Sequence, residues 1–516
     1  MPSPENSPRT DRLLLGIAAF LTLATGVLIC GSSIPLGIPK EWVWNRLPLA
    51  GDYAWNLPLL LGLAGIIATF VWQGLQRMAL AGKLETATWL AGLVLLCFSW
   101  LWMTQESAPD PWRLSKGVWV LYFPGPSGYF TEAKTHAQNL PDYLAHYDQT
   151  MQQGDVLHLG THPPGLIVGY RLLMDLTRGS PALCNLIDST QPESFRLAFQ
   201  ELKRLTERDP NPVTDRDGTV LWGAYLVMQL GAAATIIPLF FLLRTLCSAE
   251  ISWWTVSLWI FVPALSLFLP KSDAFFPFLS TSILCCWCLA WTKSSPFWSL
   301  LSGLITWIGL FCSLAFLPTL FLMTLWTLFQ ILGTPRSEIL SLVKRQFGRT
   351  VLPYLCGLVL PILACWLIWK LPLWTVWRWN YLNHAGFYAR YHRTYLSWLL
   401  LNPFELMIAA GPPLALVAVS AWSLRRGSAL HRWGVILPCT LTWGILWLTG
   451  KNSGEAARLW IFLIPWGIWL AGESLALRHT ALHARNWPRT LWGLWWLQVI
   501  CCLLVTARVV GFDIPG

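Results

Sequence analysis

Runs of about twenty mainly apolar residues recur from one end of this 516-residue chain to the other, and that recurrence decides its solvent. An apolar helix of about 20 residues matches the hydrocarbon thickness of a bilayer, and in hydrocarbon a helix satisfies its own backbone hydrogen bonds. The runs fall near residues 13–30, 56–75, 86–104, 219–243, 250–270, 274–292, 350–369, 397–421, 433–449, 458–474 and 489–507. A further run, from Phe297 to Leu332, is too long for one helix and predicts a tight hairpin broken near Ser313 or Pro318. The fold class expected is an all-α integral membrane protein with about thirteen transmembrane helices, counted one per apolar run and two for the hairpin. It forms a single polytopic domain over residues 1–516: three spans in 13–104, a long loop at 105–218 with interfacial helices, and the remaining spans in 219–516.

Composition agrees with that solvent. Hydrophobic residues make up 55% of the chain and charged residues 12%, half the roughly 25% of a soluble domain. Disorder is excluded too, since disorder requires low hydrophobicity. The formal charge of +10 comes from Lys and Arg beside apolar runs, where they orient spans or meet lipid phosphates, so membrane lipids and not nucleic acid are the expected partners. Most of the thirteen cysteines, including Cys285, Cys286, Cys288, Cys501 and Cys502, sit inside apolar runs and read as small apolar residues. The run Leu13 to Cys30 follows Arg9 and Arg12 without a convincing small-residue cleavage site, which predicts a retained anchor helix.

Short loops rich in Lys and Arg stay in the cytoplasm. With a cytoplasmic N-terminus, the inner connections carry Arg77 and Lys83, then Arg244, Lys293, Arg336, Lys344, Arg345, Arg349, Arg425, Arg426 and Arg432, and finally Arg478, Arg485 and Arg489. The segments near 105–218 and 370–396 then face outward, and a plasma-membrane location with an outer-face site follows. Gly160 to Thr177 holds Pro163, Pro164, Arg171 and Asp175, and a charge at a helix centre costs roughly 2.5–3.5 kcal/mol on insertion. It reads as an interfacial helix on the outer side.

In this topology the polar clusters gather on one face. Glu132 follows Gly128, Tyr129 and Phe130 and is a candidate base for a hydroxyl; the plain alternative is a solvated loop acid. Asp273 is either a helix cap or a carboxylate orienting an acceptor or a metal, with Lys271 holding a phosphate. His158 and His162 have the spacing of zinc ligands, but Leu159 stands where a zinc protease needs Glu, and Pro163 suggests that a helix begins after His162. Lys451 and Arg458 flank Glu455 and suit a phosphate at headgroup depth, or else Glu455 and Arg458 simply pair and Lys451 snorkels. Between Trp374 and Tyr395, His384 lies among Arg378, Arg390, Arg393 and aromatics that fit either a sugar-stacking wall or an interfacial belt.

The order Glu132, then His162-Pro163-Pro164, then Asp273 at a later helix end resembles the GT-C glycosyltransferases, such as protein O-mannosyltransferases and lipid A aminoarabinose transferases. The resemblance covers mainly residues 105–300; in the best-known members the large loop follows the first span, whereas here it follows the third. It implies an enzyme that takes a sugar from a polyprenyl-phosphate donor and passes it to a lipid, glycan or protein acceptor. In that role Glu132 and Asp273 are catalytic, and His162, Lys271, His384, Lys451, Glu455 and Arg458 bind substrate. A divalent cation stays open as a cofactor. A polytopic transporter or flippase is the alternative, although ionisable groups here favour span ends over the midplane.

Overall fold

The computed structural model describes residues 7–48, 51–424, 434–478, 488–512 and 514. It is an all-α architecture, with a single two-stranded antiparallel hairpin, Leu36–Ile38 against Trp42–Trp44, among the described residues. Nine described helices are long and apolar enough to cross a membrane: Thr10–Gly31, Trp55–Arg77, Lys83–Glu106, Asp215–Leu243, Ser272–Lys293, Leu314–Leu332, Ile339–Trp369, Ile461–Arg478 and Arg489–Arg508. A tenth candidate is the pair Tyr395–Ala410 and Pro412–Leu424, bent by 114°.

That bend has a local cause. Gly411 adopts φ +94°, a conformation costly for other residues, and Pro412 has no N–H to donate. Gln498 from a neighbouring helix repairs the break: its amide donates to Ala410 O and Phe261 O, and its oxygen accepts from Leu414 N. The hairpin expected between Phe297 and Leu332 is present as Pro296–Cys312 and Leu317–Leu332, broken at Ser313, whose Oγ accepts from Ala315 N. The run at 250–270 is not one helix. Val262 and Pro263 interrupt it, leaving Ala249–Ser257 and Pro263–Phe268 separated by one tight turn. The first arm of the helical hairpin, Pro296–Cys312, and one further apolar run, Ile436–Leu448, form shorter helices.

Burial sorts the helices into a centre and a rim. For Ser272–Lys293 and Ile461–Arg478, 83% of the apolar window lies inside the protein, against 17% for Ile339–Trp369. Rim helices keep apolar side chains on their outer faces, such as Leu360 and Leu367, as a helix bathed in hydrocarbon requires. Where helices touch, small residues let backbones approach: a Cβ at Gly303 would come within 2.1 Å of Tyr354 O, and one at Gly357 within 2.2 Å of Leu300 O. All thirteen cysteines are unpaired, in keeping with their apolar settings.

Residues 105–218 form a cap of short helices: Lys116–Tyr122, Tyr129–Thr135, Leu140–Ala145, Tyr147–Gln152, Gly165–Gly179, Pro181–Ser189 and Glu193–Thr206. Gly165–Gly179 is the helix expected within Gly160 to Thr177. It is not among the helices apolar enough to cross a membrane, and its buried Arg171 is held by Asp175 at 2.6 Å. Four cations of the expected inner loops, Arg425, Arg426, Arg432 and Arg485, lie outside the described residues.

Candidate functional site

One cavity of about 490 Å³ opens where the cap meets the ends of the central spans. Ser272, Leu314 and Ile461 begin spans beside it, and Lys83–Glu106 ends on the same side by leading into the cap. Its walls are mainly apolar, with ionisable groups drawn from four distant stretches of chain. Of the residues singled out from sequence, His162, Lys271, Asp273, His384, Lys451, Glu455 and Arg458 all line it.

Glu132 does not. Its carboxylate is 8% exposed and is engaged on both oxygens, accepting from Tyr143 Oη at 2.8 Å and meeting His136 Nδ1 at 3.0 Å. It braces the cap from behind the cavity wall. Its helix neighbour Tyr129 lines the cavity instead, because Gly128, at φ +80°, turns the chain into Tyr129–Thr135 with that ring inward.

Asp273 lies in the tight turn Ser272–Ala274, just before the helix Phe276–Lys293. Its carboxylate caps nothing: it makes no hydrogen bond with the described residues and opens on the cavity. Lys271 is buried at the cavity edge, with its ammonium 5.9 Å from the Phe512 ring. Burial, reinforced by the Arg458 charge and opposed by Asp273 and Glu455, lowers its pKa to about 7.

The loop after Gly450 folds tightly through left-handed Gly450, Asn452 and Gly454, and presents Lys451 to the cavity. Tyr388 Oη accepts from Asn452 N at 2.7 Å and so pins that loop to the helix Leu373–Arg390, which also carries His384. Burial, and then Lys451, lowers the His384 pKa. Glu455 and Arg458 pair at 2.7 Å, and Arg458 Nε is buried without a hydrogen-bond partner among the described residues. Glu405 sets their position: its Oε1 accepts from Ala457 N at 3.1 Å, at the start of the short helix Ala456–Leu459, and from Trp44 Nε1 at 3.0 Å.

The His158–His162 turn is built by Asp155. Burial alone would raise this carboxyl, but the backbone N–H groups of Leu157, His158, Leu159 and Gly160 converge on it and hold it below its ordinary value. His162 leaves the turn in extended conformation before Pro163, so the two histidines do not share a helical face. Tyr147 Oη reaches both Leu159 O at 3.1 Å and His162 O at 2.9 Å, and Asn383 Nδ2 donates to Gly160 O and Met151 O, each at 2.8 Å. Burial lowers the His162 pKa to about 4, against the opposing pull of Asp273.

Sequence reasoning missed Tyr129, Tyr170, Tyr388 and Asn380 on the lining and Glu405 beneath it. No spacing marks them, because each acts across long sequence separations. Among the described residues, no group of three or more His, Cys, Asp or Glu side chains is arranged to hold a metal ion. The divalent cation left open by the sequence therefore finds no such ligand set, and the available counter-charges for an anion are Lys271, Lys451 and Arg458. No protein-family model, curated protein or solved structure matches this chain.

Proposed function

We propose that this protein is a membrane glycosyltransferase of GT-C type, moving a sugar from a polyprenyl-phosphate donor to an acceptor hydroxyl. The observation that carries the reading is one uncapped carboxylate, Asp273, facing Lys271, Lys451 and Arg458 in a cavity at the ends of membrane-length helices. In the reaction the bond from the anomeric carbon to phosphate oxygen breaks, and the electron pair leaves with the polyprenyl phosphate. The acceptor oxygen bonds to the same carbon and yields its proton to the Asp273 carboxylate. Charge grows on the departing phosphate, so fixed cations there stabilise the transition state more than the ground state. The apolar lining suits a lipid-linked donor. No nucleotide is required, and the chain has no Gly-x4-Gly-Lys-Ser/Thr sequence.

This reading revises the role of Glu132, whose two oxygens are both occupied, and moves the base to Asp273. It assigns thirteen crossings: the nine long helices, the bent pair, the two shorter apolar helices and the interrupted run from Ala249 to Phe268. The N-terminus is cytoplasmic, and the cavity faces outward across a plasma membrane, in keeping with basic inner loops. The acceptor is a lipid, glycan or protein on that face.

The test is transfer of labelled sugar from a panel of polyprenyl-phosphate sugars by the purified protein in lipid, with Asp273→Asn alongside. We expect turnover in the wild type and a loss of about 10²-fold or more in the variant, the usual weight of a positioned base. Absence of transfer from every donor, with movement of lipid-linked sugar across proteoliposomes, would make the protein a transporter.

A further inference from the structure

Another part of the cavity lining, apart from its cations and carboxylates, has a different chemistry. Tyr129 and Tyr170 are 6% and 5% exposed and line the cavity, and neither hydroxyl has a hydrogen-bond partner among the described residues. Each hydroxyl keeps open surface on the cavity and is therefore free to donate to, or accept from, a ligand atom there. Beside Tyr129 on the same lining stand His158 and His162, whose ring centroids are 6.4 Å apart, each meeting the Tyr129 ring edge-on at 5.8 Å.

Neighbouring acceptors assign the tautomer of each histidine. His158 Nε2 lies 2.8 Å from Gly125 O, and His162 Nδ1 lies 3.2 Å from His158 O and 3.1 Å from Thr161 Oγ1, whose own hydrogen goes to Leu157 O at 2.9 Å. A carbonyl only accepts, and the Thr161 hydroxyl donates to Leu157, so those ring nitrogens carry the hydrogens. In the neutral rings, His158 Nδ1 and His162 Nε2 then hold bare lone pairs. Burial disfavours the charged form of both rings, and the Lys271 charge works in the same direction on each, opposed by Asp273 at His162 and by the Gly125 hydrogen bond at His158. The groups facing the pair are Lys271 and Asp273 from the start of the central span, Arg458 and Glu455 from the 451–458 segment, and His384 from Leu373–Arg390.

Two lone-pair acceptors and two hydroxyls that can donate or accept form a surface for a ligand bearing several adjacent O–H groups. Three cations against the two carboxylates Asp273 and Glu455 leave the cavity with a positive excess that disfavours an ammonium group. We propose that Tyr129, His158, His162 and Tyr170 form a subsite for a neutral polyhydroxylated sugar, and that the cavity selects against amino sugars. The proposal deepens the transfer reading and rests on it for calling this ring the transferred sugar, but binding tests it directly.

The full-length protein in lipid nanodiscs is titrated at pH 6.5 with three probes: an octyl hexoside, its 2-amino-2-deoxy counterpart and farnesyl phosphate. The expected result is that the neutral hexoside binds at least tenfold tighter than the amino sugar. Tyr129→Phe and His162→Asn should each lower hexoside affinity by roughly five- to tenfold, the value of one hydrogen bond. Farnesyl phosphate affinity in Tyr129→Phe, which removes only one oxygen, reports that the variant is folded. Equal binding of the two sugars, or hexoside binding untouched by both substitutions, overturns the subsite. Hexoside discrimination without any sugar transfer overturns the transfer reading and leaves the subsite standing.

Discussion

At the scale of single residues, two carboxylates of the same sequence appeal separate once their neighbours are known. Glu132 is held by Tyr143 and His136, whereas Asp273 opens on the cavity without a partner. Glu132→Gln should therefore leave farnesyl phosphate affinity within twofold and cost about 1–2 kcal/mol of stability, the usual effect of weakening a charge-assisted bond. Thermal unfolding in nanodiscs read beside ligand titration checks this, and a large affinity loss without destabilisation would return Glu132 to the site. Lys271 supplies a second expectation. Its pKa near 7 means that the ammonium is about half populated at pH 7 and largely lost by pH 8, while a bound phosphate favours the charged form. Phosphate binding at pH 8, where a phosphate monoester is already a dianion, should take up close to one proton. Calorimetry in two buffers of different ionisation enthalpy measures that uptake, which Lys271→Met should abolish. His162, with its pKa near 4, contributes nothing to it in this range. Seven of the eight residues singled out from sequence reach one cavity because charge beside an apolar run carries information about depth; Glu132 does not, since nothing in Gly-Tyr-Phe-Thr-Glu tells which side of a short helix faces in.

At the scale of elements, the phosphate end of the cavity depends on a four-residue helix that cannot hold itself. Ala456–Leu459 is far below the length at which helices are stable alone, so its orientation comes from outside. Glu405 accepts from Ala457 N and ties this turn to Trp44 in the hairpin Leu36–Ile38 with Trp42–Trp44. Glu41, in the turn of that hairpin, accepts from Thr394 N at 2.8 Å and Trp398 Nε1 at 2.7 Å, joining the same strap to the start of Tyr395–Ala410. Glu405→Ala should lower farnesyl phosphate affinity by roughly tenfold through displaced Arg458 while leaving octyl hexoside affinity within twofold, and Glu405→Gln should restore most of the loss. Equal losses for both probes would mean general loosening of the cavity. None of these ties was legible in sequence. Apolar periodicity reports elements of twenty residues well, and it found the break at Ser313; it is silent on six- and seven-residue helices, on the interruption at Val262-Pro263, and on the bend at Gly411, which Gln498 holds from 87 residues away.

At the scale of the whole molecule, polarity is distributed along the spans rather than around them. The centre helices Ser272–Lys293 and Ile461–Arg478 begin at the cavity and run away from it, and the rim helices turn leucines outward over their length. The ionisable cluster is confined to the cavity end, where headgroup phosphates and water offset the cost that charges meet at the bilayer centre. Such an arrangement suits chemistry on an amphiphile whose chain stays in lipid while its head reaches polar groups, and it disfavours passage through the midplane. Sidedness can be decided with two ends of one helix. Lys83–Glu106 has Gly82 at one end and leads into the cap at the other, and Ser189 is the exposed last residue of the cap helix Pro181–Ser189. Ser189→Cys should react with a membrane-impermeant maleimide in intact cells, and Gly82→Cys only after permeabilisation, with the modified peptide identified by mass. The reverse pattern would turn the cavity to the cytoplasm, and would require any lipid-linked donor to be consumed on the inner leaflet.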